Sequence, residues 1–319
     1  MKVYFGTDSE FFILDRRGKP APAHRFFPGK DDKLYFEVKE RGKGALFRDG
    51  YALEINVPPT HCRSVLVDSV NIMLHKAQQR LPDDYRLTTA PVVGIDPRSL
   101  RKAPYDVQQF GCDPVLDAYL GDERATDLDG TRHRLRYSGS HFHFSVKPIP
   151  AWMKKFDNMC LLAKLMDQRI GVPLAMIFNS AGSRARRKYY GLAGEFRLQR
   201  YENGERGFEY RVPTSEVWND PGVAMMVMGV GRDTILNFAR LQHDWDRRLE
   251  PRIQRAINTG IGTDDLLVST SIYRPDTIRW LAKKGIGRFK LHRPAPKGML
   301  CNFGGWAQIE AFRDGYGVE

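Results

Sequence analysis

The sequence predicts an α+β fold in which one polar sheet face carries the chemistry. Several segments alternate polar and apolar residues with the period of a strand, and several longer segments repeat apolar residues with the period of a helix. With 319 residues, 42% of them hydrophobic, the chain can bury a large core. No internal repeat or linker divides it, so we expect one domain over residues 1–319.

Four segments have the alternation of half-buried strands. They are residues 5–14, 51–57, 140–146 and 208–213. In that order, one face carries Asp8 and Glu10, then Glu54 and Asn56, then His141 and His143, then Glu209 and Arg211. The opposite faces are mainly apolar, because successive side chains of a strand point to opposite sides.

Four other segments have helical periodicity. They are residues 62–81, 152–170, about 232–249 and about 276–284. In the first, Leu66, Val70 and Met73 fall on one face. The last begins with an acidic residue, Asp276, and stops at Gly285. We interpret these apolar stripes as core.

The residue types on the strand faces indicate metal and phosphate binding. A single alternating strand is usually a sheet edge, and Glu209 with Arg211 alone would fit a salt-bridge ladder. A lone histidine would more often be a hydrogen-bonded core residue. Four strands together favour function, since carboxylates and imidazoles bind divalent cations and guanidinium groups bind phosphoryl oxygens. Carboxylates predominate, which favours magnesium or manganese over zinc.

Other sequence features limit the alternatives. The chain has no GxxxxGK[ST], HExxH or GxSxG motif, so P-loop, zincin and serine-hydrolase sites are unsupported. The longest apolar stretch, residues 221–231, is too short to span a bilayer, and Asp8 and Glu10 interrupt the amino terminus where a secretory leader would be apolar. We therefore expect a cytoplasmic protein with no membrane partner.

The net charge of +12 is uneven. Residues 279–297 hold seven Lys and Arg and no acid. Such a cluster attracts phosphate, yet a solvated face is at least as good an explanation because no nucleic-acid motif accompanies it. Nucleic acid stays an open partner. We interpret Asp49–Gly50 as a turn, and Tyr189 and Tyr190 as packing residues.

Five motifs, in order, resemble the glutamine synthetase-like carboxylate–amine ligases, and most closely the phage-type COOH–NH2 ligases. The motifs are GTDSEFF, DGYALEINVPP, YSGSHFHFSV, YYGLAGEFR and FEYRVPTSEVWNDP. They span residues 6 to about 221, with a helical and basic part over residues 222–319. The resemblance implies a curved, mostly antiparallel sheet whose concave polar face holds the site, with helices packed on the other face.

The resemblance also implies roles for individual residues. Metal ligands would be Asp8, Glu10, Glu54, His141 and Glu209. Nucleotide contacts would be His143, Arg211, Arg187 and Arg186, with Arg211 and Arg197 acting in catalysis. Substrate contacts would be Asn56, Ser138 and Gly139. A basic stretch over residues 182–194 is the candidate for a loop that covers the site and excludes water.

The implied reaction is ATP-dependent amide formation with Mg²⁺ or Mn²⁺. A substrate carboxylate would take the γ-phosphoryl group to give an acyl phosphate, and an amine would then displace phosphate. The acid and the amine stay unidentified: a small molecule, a peptide or protein, or a modified nucleobase would each fit. Two alternatives stay open, namely a metal-dependent phosphodiesterase or nuclease and a non-enzymatic binding protein on the same fold.

Overall fold

A computed structural model describes residues 1–38, 42–110, 115–124, 128–200 and 206–292 of the chain. In chain order, the strands of these residues are β1 (Lys2–Asp15), β2 (Pro20–Ala21), β3 (Leu34–Glu37), β4 (Lys43–Asp49), β5 (Ala52–Asn56), β6 (Tyr85–Thr88), β7 (Val92–Gly94), β8 (Val115–Asp117), β9 (Asp122–Arg124), β10 (Leu135–Tyr137), β11 (Ser140–Lys147), β12 (Glu195–Arg200) and β13 (Arg206–Tyr210). The helices are α1 (Arg63–Arg80), α2 (Pro97–Lys102), α3 (Tyr105–Gln108), α4 (Phe156–Met166), α5 (Val172–Ile177), α6 (Ala181–Arg186), α7 (Pro221–Leu236), α8 (Phe238–His243), α9 (Glu250–Thr259) and α10 (Pro275–Lys284).

The main sheet is antiparallel throughout its ordered path. Its strands follow the order β3-β4-β5-β1-β11-β13-β12-β8-β9, and β2 and β6 pair with the far end of β1. The long strand β1 therefore lies in the middle, with β5 on one side and β11 on the other. The prediction of a mixed fold with a mostly antiparallel sheet is confirmed.

One face of the sheet packs against helices. Its aromatic side chains, which include Phe5, Phe144 and Phe208, are buried in a core that also takes in α1, α4 and α7. The closeness of this packing is clear at Gly231 of α7, where an added Cβ would lie 2.4 Å from the Phe144 ring. Because side chains alternate along a strand, the polar residues between these aromatics point to the opposite face.

The helices differ from the sequence prediction in two places. The periodicity predicted a helix over about 232–249, whereas α7 begins at Pro221 and residues 221–231 are all buried. A helix that is apolar on every face lies in the core. Its sequence shows little alternation of polar and apolar residues, so the pattern does not reveal where the helix begins. The helix predicted over 152–170 is not one regular α-helix. α4 begins at Phe156, and a π-helical turn at Asp167–Gly171 connects it to α5.

The other helix and strand predictions agree with the structure except at one end. The expected helices at 62–81 and 276–284 correspond to α1 and α10. The predicted strand over 208–213 is too long at its end, because β13 stops at Tyr210. Arg211 still donates its backbone N–H to the Glu195 carbonyl at 3.1 Å, so it stays beside the sheet.

A small polar network lies on the helix side of the central strands. The hydroxyls of Ser9 on β1 and Ser140 on β11 are 2.7 Å apart. The indole N–H of Trp218 is 2.8 Å from each of them. All three side chains are buried, so these bonds satisfy polar groups that would otherwise be costly in the core. The network fixes β1 against β11 beneath the polar face.

Candidate metal and phosphate site

Strand register gathers the polar residues of four strands onto one patch. Asp8 on β1 lies opposite His141 on β11 and opposite Asn56 on β5. Glu10 lies opposite Glu54, and His143 lies opposite Glu209. Directly opposite residues of an antiparallel pair have their side chains in contact range. Residues far apart in the sequence thus form one continuous surface.

A first cluster joins Asp8, His143 and Glu209, whose potential ligand atoms all lie within 4.8 Å of one another. His143 Nε2 is 3.0 Å from Asp8 Oδ2. Burial disfavours the charged imidazole, yet the charge of Asp8 and its hydrogen bond outweigh burial and raise the pKa of His143 to about 9. Burial tends to raise the pKa of Asp8, but the charge and the hydrogen bond of His143 outweigh burial, so the pKa of Asp8 is lowered overall.

A second cluster consists of three carboxylates, Glu10, Asp49 and Glu54, again with potential ligand atoms within 4.8 Å of one another. Burial and the neighbouring charge of Asp49 raise the pKa of Glu10 to about 7. Burial, followed by the charges of Asp8, Asp49 and Glu10, raises the pKa of Glu54 well above its usual value. A cation would relieve this crowding of negative charge, so the donor set fits a hard, oxygen-binding divalent ion.

Asp49 is a site residue that the sequence interpretation missed. It ends β4, and Gly50 follows with φ +53°, so the expected turn does occur. The same turn directs the Asp49 carboxylate towards Glu54 across the β4–β5 pair. The signal available in the sequence was an acid on the first arm of a hairpin whose second arm carries another acid.

Asn56 connects the two clusters. Its amide donates to Asp8 Oδ1 at 2.5 Å and to Glu54 Oε1 at 3.2 Å. The predicted role of Asn56 as a substrate contact stays a prediction. In the structure the side chain orients two carboxylates, which is a task that an amide performs without adding a charge.

His141 lies at the centre of a second set of contacts. Its Nδ1 is 3.3 Å from Arg211 Nη1 and 3.4 Å from Glu209 Oε1. Arg211 also donates to Glu209. Burial and the charge of Arg211 lower the pKa of His141 well below its usual value, so the imidazole is neutral at physiological pH. A neutral ring with its proton on Nε2 can accept the Arg211 hydrogen bond at Nδ1.

Tyr190 is the second residue that sequence interpretation missed. Its hydroxyl donates to Glu10 Oε1 at 3.0 Å and lies 2.9 Å from His141 Nε2. The guanidinium carbon of Arg186 is 4.9 Å from the centre of the ring. Tyr190 therefore joins the second acidic cluster to the imidazole, and the expectation that it merely packs is wrong. A tyrosine after a short helix carries no pattern that would reveal this.

Gly139 lies where the backbone must approach the site closely. Its N–H donates to Glu10 Oε2 at 2.6 Å, and its carbonyl accepts from the Glu10 N–H at 2.9 Å. An added Cβ would lie 3.0 Å from His141, Arg186 and Tyr190. Gly139 thus fixes the Glu10 carboxylate. The neighbouring Ser138 is fully buried and its hydroxyl donates to the Ala90 carbonyl.

The predicted arginines occupy different environments. Arg186 is 1% exposed and donates to the backbone carbonyls of Ser138, Val212 and Pro213. These bonds brace the strand ends against each other, and the predicted role of Arg186 as a nucleotide contact stays a prediction. Arg187 is also buried and donates to the Phe178 carbonyl. Arg197 on β12 lies opposite Glu209 and is the half-buried member of the group.

The stretch over residues 182–194 is anchored in the structure. The bonds of Arg186 hold it at one end, and Gly194 donates its N–H to the buried carboxylate of Asp167 at 2.6 Å at the other. Between these anchors the Tyr190 hydroxyl lies in the site. Whether this segment moves to cover bound substrates stays a prediction.

Two cavities flank the patch. One, of about 1090 Å³, is lined by Asp8 and His143 and includes Lys33 and Gln199. The other, of about 780 Å³, is lined by Glu10 and Arg211. The acidic clusters thus lie between two spaces, one at the Asp8 end and one at the Glu10 end.

The basic C-terminal stretch is only partly described, since residues 293–297 lie outside the described part of the chain. Arg279 pairs with Asp264 at 2.6 Å and with Asp276 at 2.7 Å. Part of its charge is therefore compensated locally. Within the described residues, no helix is both long and apolar enough to cross a bilayer.

Comparison with known families supports the resemblance predicted from the motifs. Residues 123–261 match the family described as "Phage phiEco32-like COOH.NH2 ligase-type 2". The chain resembles the phage-type carboxylate–amine ligases. The matched segment is a little under half of the chain and includes His141, His143, Glu209 and Arg211. Asp8, Glu10 and Glu54 lie outside it, and strand pairing brings them to the same patch.

Two further comparisons add little to this relationship. A bifunctional glutathione synthetase from Pasteurella multocida has a TM-score of 0.48 and 14% sequence identity, over 86% of this chain and 42% of that protein. This chain thus spans less than half the length of that structural relative. A comparison with curated proteins finds no match.

Proposed function

We propose that this protein is an ATP-dependent carboxylate–amine ligase that forms an amide bond through an acyl phosphate. One observation carries the proposal: Asp8, Glu10, Glu54, His143 and Glu209, from four strands, lie together around two clusters of metal-ligand type. The family match supports the ligase class. As part of the same proposal, residues 1–319 form one glutamine synthetase-like domain, with its polar sheet face as the active site.

The two clusters would hold two divalent cations, magnesium or manganese. Asp8 and Glu209 would contribute to one site, and Glu10, Asp49 and Glu54 to the other. Bound there, such cations would neutralise a triphosphate and withdraw charge from its γ-phosphoryl group. The prediction that His141 also binds metal is kept in the proposal, since its Nδ1 faces Glu209.

Arg211 would stabilise the transferring phosphoryl group. Its guanidinium is fixed by Glu209 and His141. Its charge adds to that of His143 in lowering the pKa of Asp8, and it partly offsets the burial that raises the pKa of Glu10. It therefore acts on both clusters. Charge spreads over the equatorial oxygens during phosphoryl transfer, and a guanidinium fixed in advance stabilises it without reorganisation. Arg197, across from Glu209, is the second candidate for this role.

The nucleotide would occupy the cavity at the Asp8 end. His143, whose pKa is about 9, would be protonated there and could donate to a phosphate oxygen, and Lys33 adds a further positive charge to the same cavity. Arg187, whose guanidinium is buried away from both cavities' walls, is the weakest of the predicted nucleotide contacts.

The bond changes would proceed in two steps. A carboxylate oxygen of the acid attacks the γ-phosphorus, the bond to the β-phosphate oxygen breaks, and ADP leaves. The amine nitrogen then attacks the acyl carbon, its proton is lost, and phosphate leaves with the oxygen that came from the acid. Such an intermediate hydrolyses in water, so the cavity must limit solvent access.

Oxygen transfer tests this chemistry directly. The protein is incubated with ATP, Mg²⁺, hydroxylamine as a general amine, and acids labelled with ¹⁸O in the carboxylate. We expect hydroxamate, ADP, and phosphate carrying one ¹⁸O atom. Glu209→Gln should abolish this, while Glu37→Gln, an exposed control on β3, should not change it.

The same reactions separate the alternatives. Phosphate without the label would mean that ATP is merely hydrolysed. Metal-dependent cleavage of DNA in the absence of ATP, sensitive to Glu209→Gln, would favour the phosphodiesterase. A non-enzymatic protein would show neither reaction, and its cellular effect would survive the Glu209→Gln change.

A further inference from the structure

The cavity at the Glu10 end has a wall unlike that of the nucleotide-side cavity. Six aromatic side chains line it: Phe12, Tyr51, Phe110, Tyr137, Tyr189 and Tyr190. The Phe110 and Tyr137 rings are stacked, with centroids 6.3 Å apart, and the Tyr137 and Tyr189 rings are 5.8 Å apart. Such surfaces bind flat or apolar groups.

The polar ends of these aromatic rings are largely engaged. The Tyr137 hydroxyl is 2.7 Å from His133 Nε2, and the Tyr190 hydroxyl bonds Glu10. Tyr51 donates weakly to the Pro20 carbonyl. The aromatic part of the wall therefore presents mainly ring surface to a ligand, with few hydrogen-bonding groups to favour a polar body.

One positive charge in the wall has no carboxylate partner among the described residues. Arg136 is 4% exposed, and its terminal nitrogens donate to the backbone carbonyls of Gln108, Gly130 and His133. In the described part of the chain, no carboxylate makes an ion pair with it, and its Nε has no hydrogen-bond partner. A buried positive charge without a counter-ion attracts an anion into the adjoining space.

Most of the other charges of this cavity have partners. Arg124 pairs with Asp117, and Arg211 pairs with Glu209. Glu10 and Asp49 are negative, but they belong to the second acidic cluster, where a bound cation would compensate them. Arg136, whose guanidinium carbon is 4.8 Å from the centre of the Phe110 ring, is the charge at the aromatic end, and it favours a carboxylate over an ammonium group there.

We propose that this cavity binds the acid substrate, and that this substrate is a carboxylic acid with an aromatic or apolar body. This inference rests on the proposed ligase function, because only that function requires a carboxylate beside the Glu10 cluster. The ring surfaces take up the body of the acid, while Arg136 and Arg211 make the potential of the cavity favourable to its anionic group. An aliphatic diacid would be attracted by the same positive charges, but it would make no contact with the aromatic wall.

Calorimetric titration tests the selectivity without nucleotide. The probes are 4-phenylbutyrate, glutarate and 4-phenylbutylamine, which separate the contributions of ring and charge. We expect 4-phenylbutyrate to bind at least about tenfold more tightly than either of the others. Tyr189 is 42% exposed, so Tyr189→Ala should fold normally and weaken 4-phenylbutyrate about tenfold. The exposed tyrosine of β3, changed in Tyr35→Ala, is the matched control and should have no effect.

Three results would overturn the inference: equal binding of glutarate, tighter binding of the amine, or unchanged affinity in Tyr189→Ala. Hydroxamate formation with ATP separates this inference from the ligase proposal. Hydroxamate made preferentially from glutarate, regardless of Tyr189, would support the ligase and refute the aromatic-acid pocket. The opposite result is binding of 4-phenylbutyrate that depends on Tyr189, with no ATP-dependent product. It would refute the ligase proposal but leave the selectivity of the cavity for aromatic acids intact.

Discussion

Replacing Glu10 with glutamine should stabilise the metal-free protein above neutral pH. Glu10 is 5% exposed and its pKa is about 7 against an ordinary 4.5. At ~1.4 kcal/mol per pKa unit, ionising this carboxyl in the fold costs ~3 kcal/mol relative to the unfolded chain. Glutamine has nearly the same shape, and its amide oxygen can accept from the Gly139 N–H. The hydrogen bond with Tyr190 would reverse, because the amide N–H would donate to the hydroxyl oxygen, so the change removes the charge and keeps both neighbours in hydrogen-bond range.

The sign of the pH dependence follows from the direction of this shift. A carboxyl whose folded pKa is raised takes up protons in the fold, so its destabilising effect is absent below about pH 4.5 and complete above about pH 7. The free energy of unfolding of the wild type should therefore fall relative to Glu10→Gln between pH 5 and pH 8. Raised groups that do not feel the charge of Glu10, such as Asp167, cancel in the difference. Glu54 does not cancel, because the charge of Glu10 helps to raise its pKa; removing that charge stabilises Glu10→Gln further at high pH, in the same direction.

Urea unfolding in the presence of EDTA measures this difference. Wild type, Glu10→Gln and the exposed control Glu37→Gln are compared at pH 5 and pH 8. We expect Glu10→Gln to gain ~1–3 kcal/mol on the wild type at pH 8 and much less at pH 5. The reasoning would be refuted if Glu10→Gln were the less stable protein at pH 8, or if the gap did not change with pH.

Three further predictions concern the same patch. Mn²⁺ should raise the melting temperature of the wild type by a few degrees, since a ligand at about 100 times its Kd stabilises by ~2.7 kcal/mol. Glu54→Gln should reduce this shift in melting temperature. An equal shift in the variant would count against metal binding at the second cluster. Tyr190→Phe should lower the rate of hydroxamate formation about tenfold, because it removes the hydroxyl between Glu10 and His141. The free energy of unfolding, measured in urea, should fall by less than ~1.5 kcal/mol. An unchanged rate would show that this hydroxyl is dispensable. Gly139→Ala should cost ~1–3 kcal/mol of stability, as its Cβ meets three side chains at 3.0 Å, and wild-type stability by urea unfolding would contradict the packing described.

Much of the polar face could be predicted from sequence because strand alternation has a fixed period. Asp8 and Glu10, or His141 and His143, must share a face whatever the register. The alternation of polar and apolar residues does not show which strands are neighbours in the sheet. The contacts of Asp8 with both Asn56 and His143 depend on β1 lying between β5 and β11, and that order is set by packing across the whole sheet.

The residues that escaped prediction entered the site by other routes. Asp49 reaches it through a tight turn, and Tyr190 through a segment anchored by Arg186. Neither route leaves a periodic signal. Arg186 shows a related limit of the sequence. Backbone carbonyls at strand ends compete with phosphate for a guanidinium, and only the fold shows that Arg186 donates to three of them.

The central position of β1 makes the two clusters depend on different stages of synthesis. This strand gives one carboxylate to each cluster, Glu10 to the second and Asp8 to the first. The partners of Glu10 are Asp49 and Glu54, so a ribosome-bound chain that has exposed only its first half already contains the whole second cluster. The first cluster also needs Glu209, about two hundred residues after Asp8, so ion binding there would report that β13 has docked.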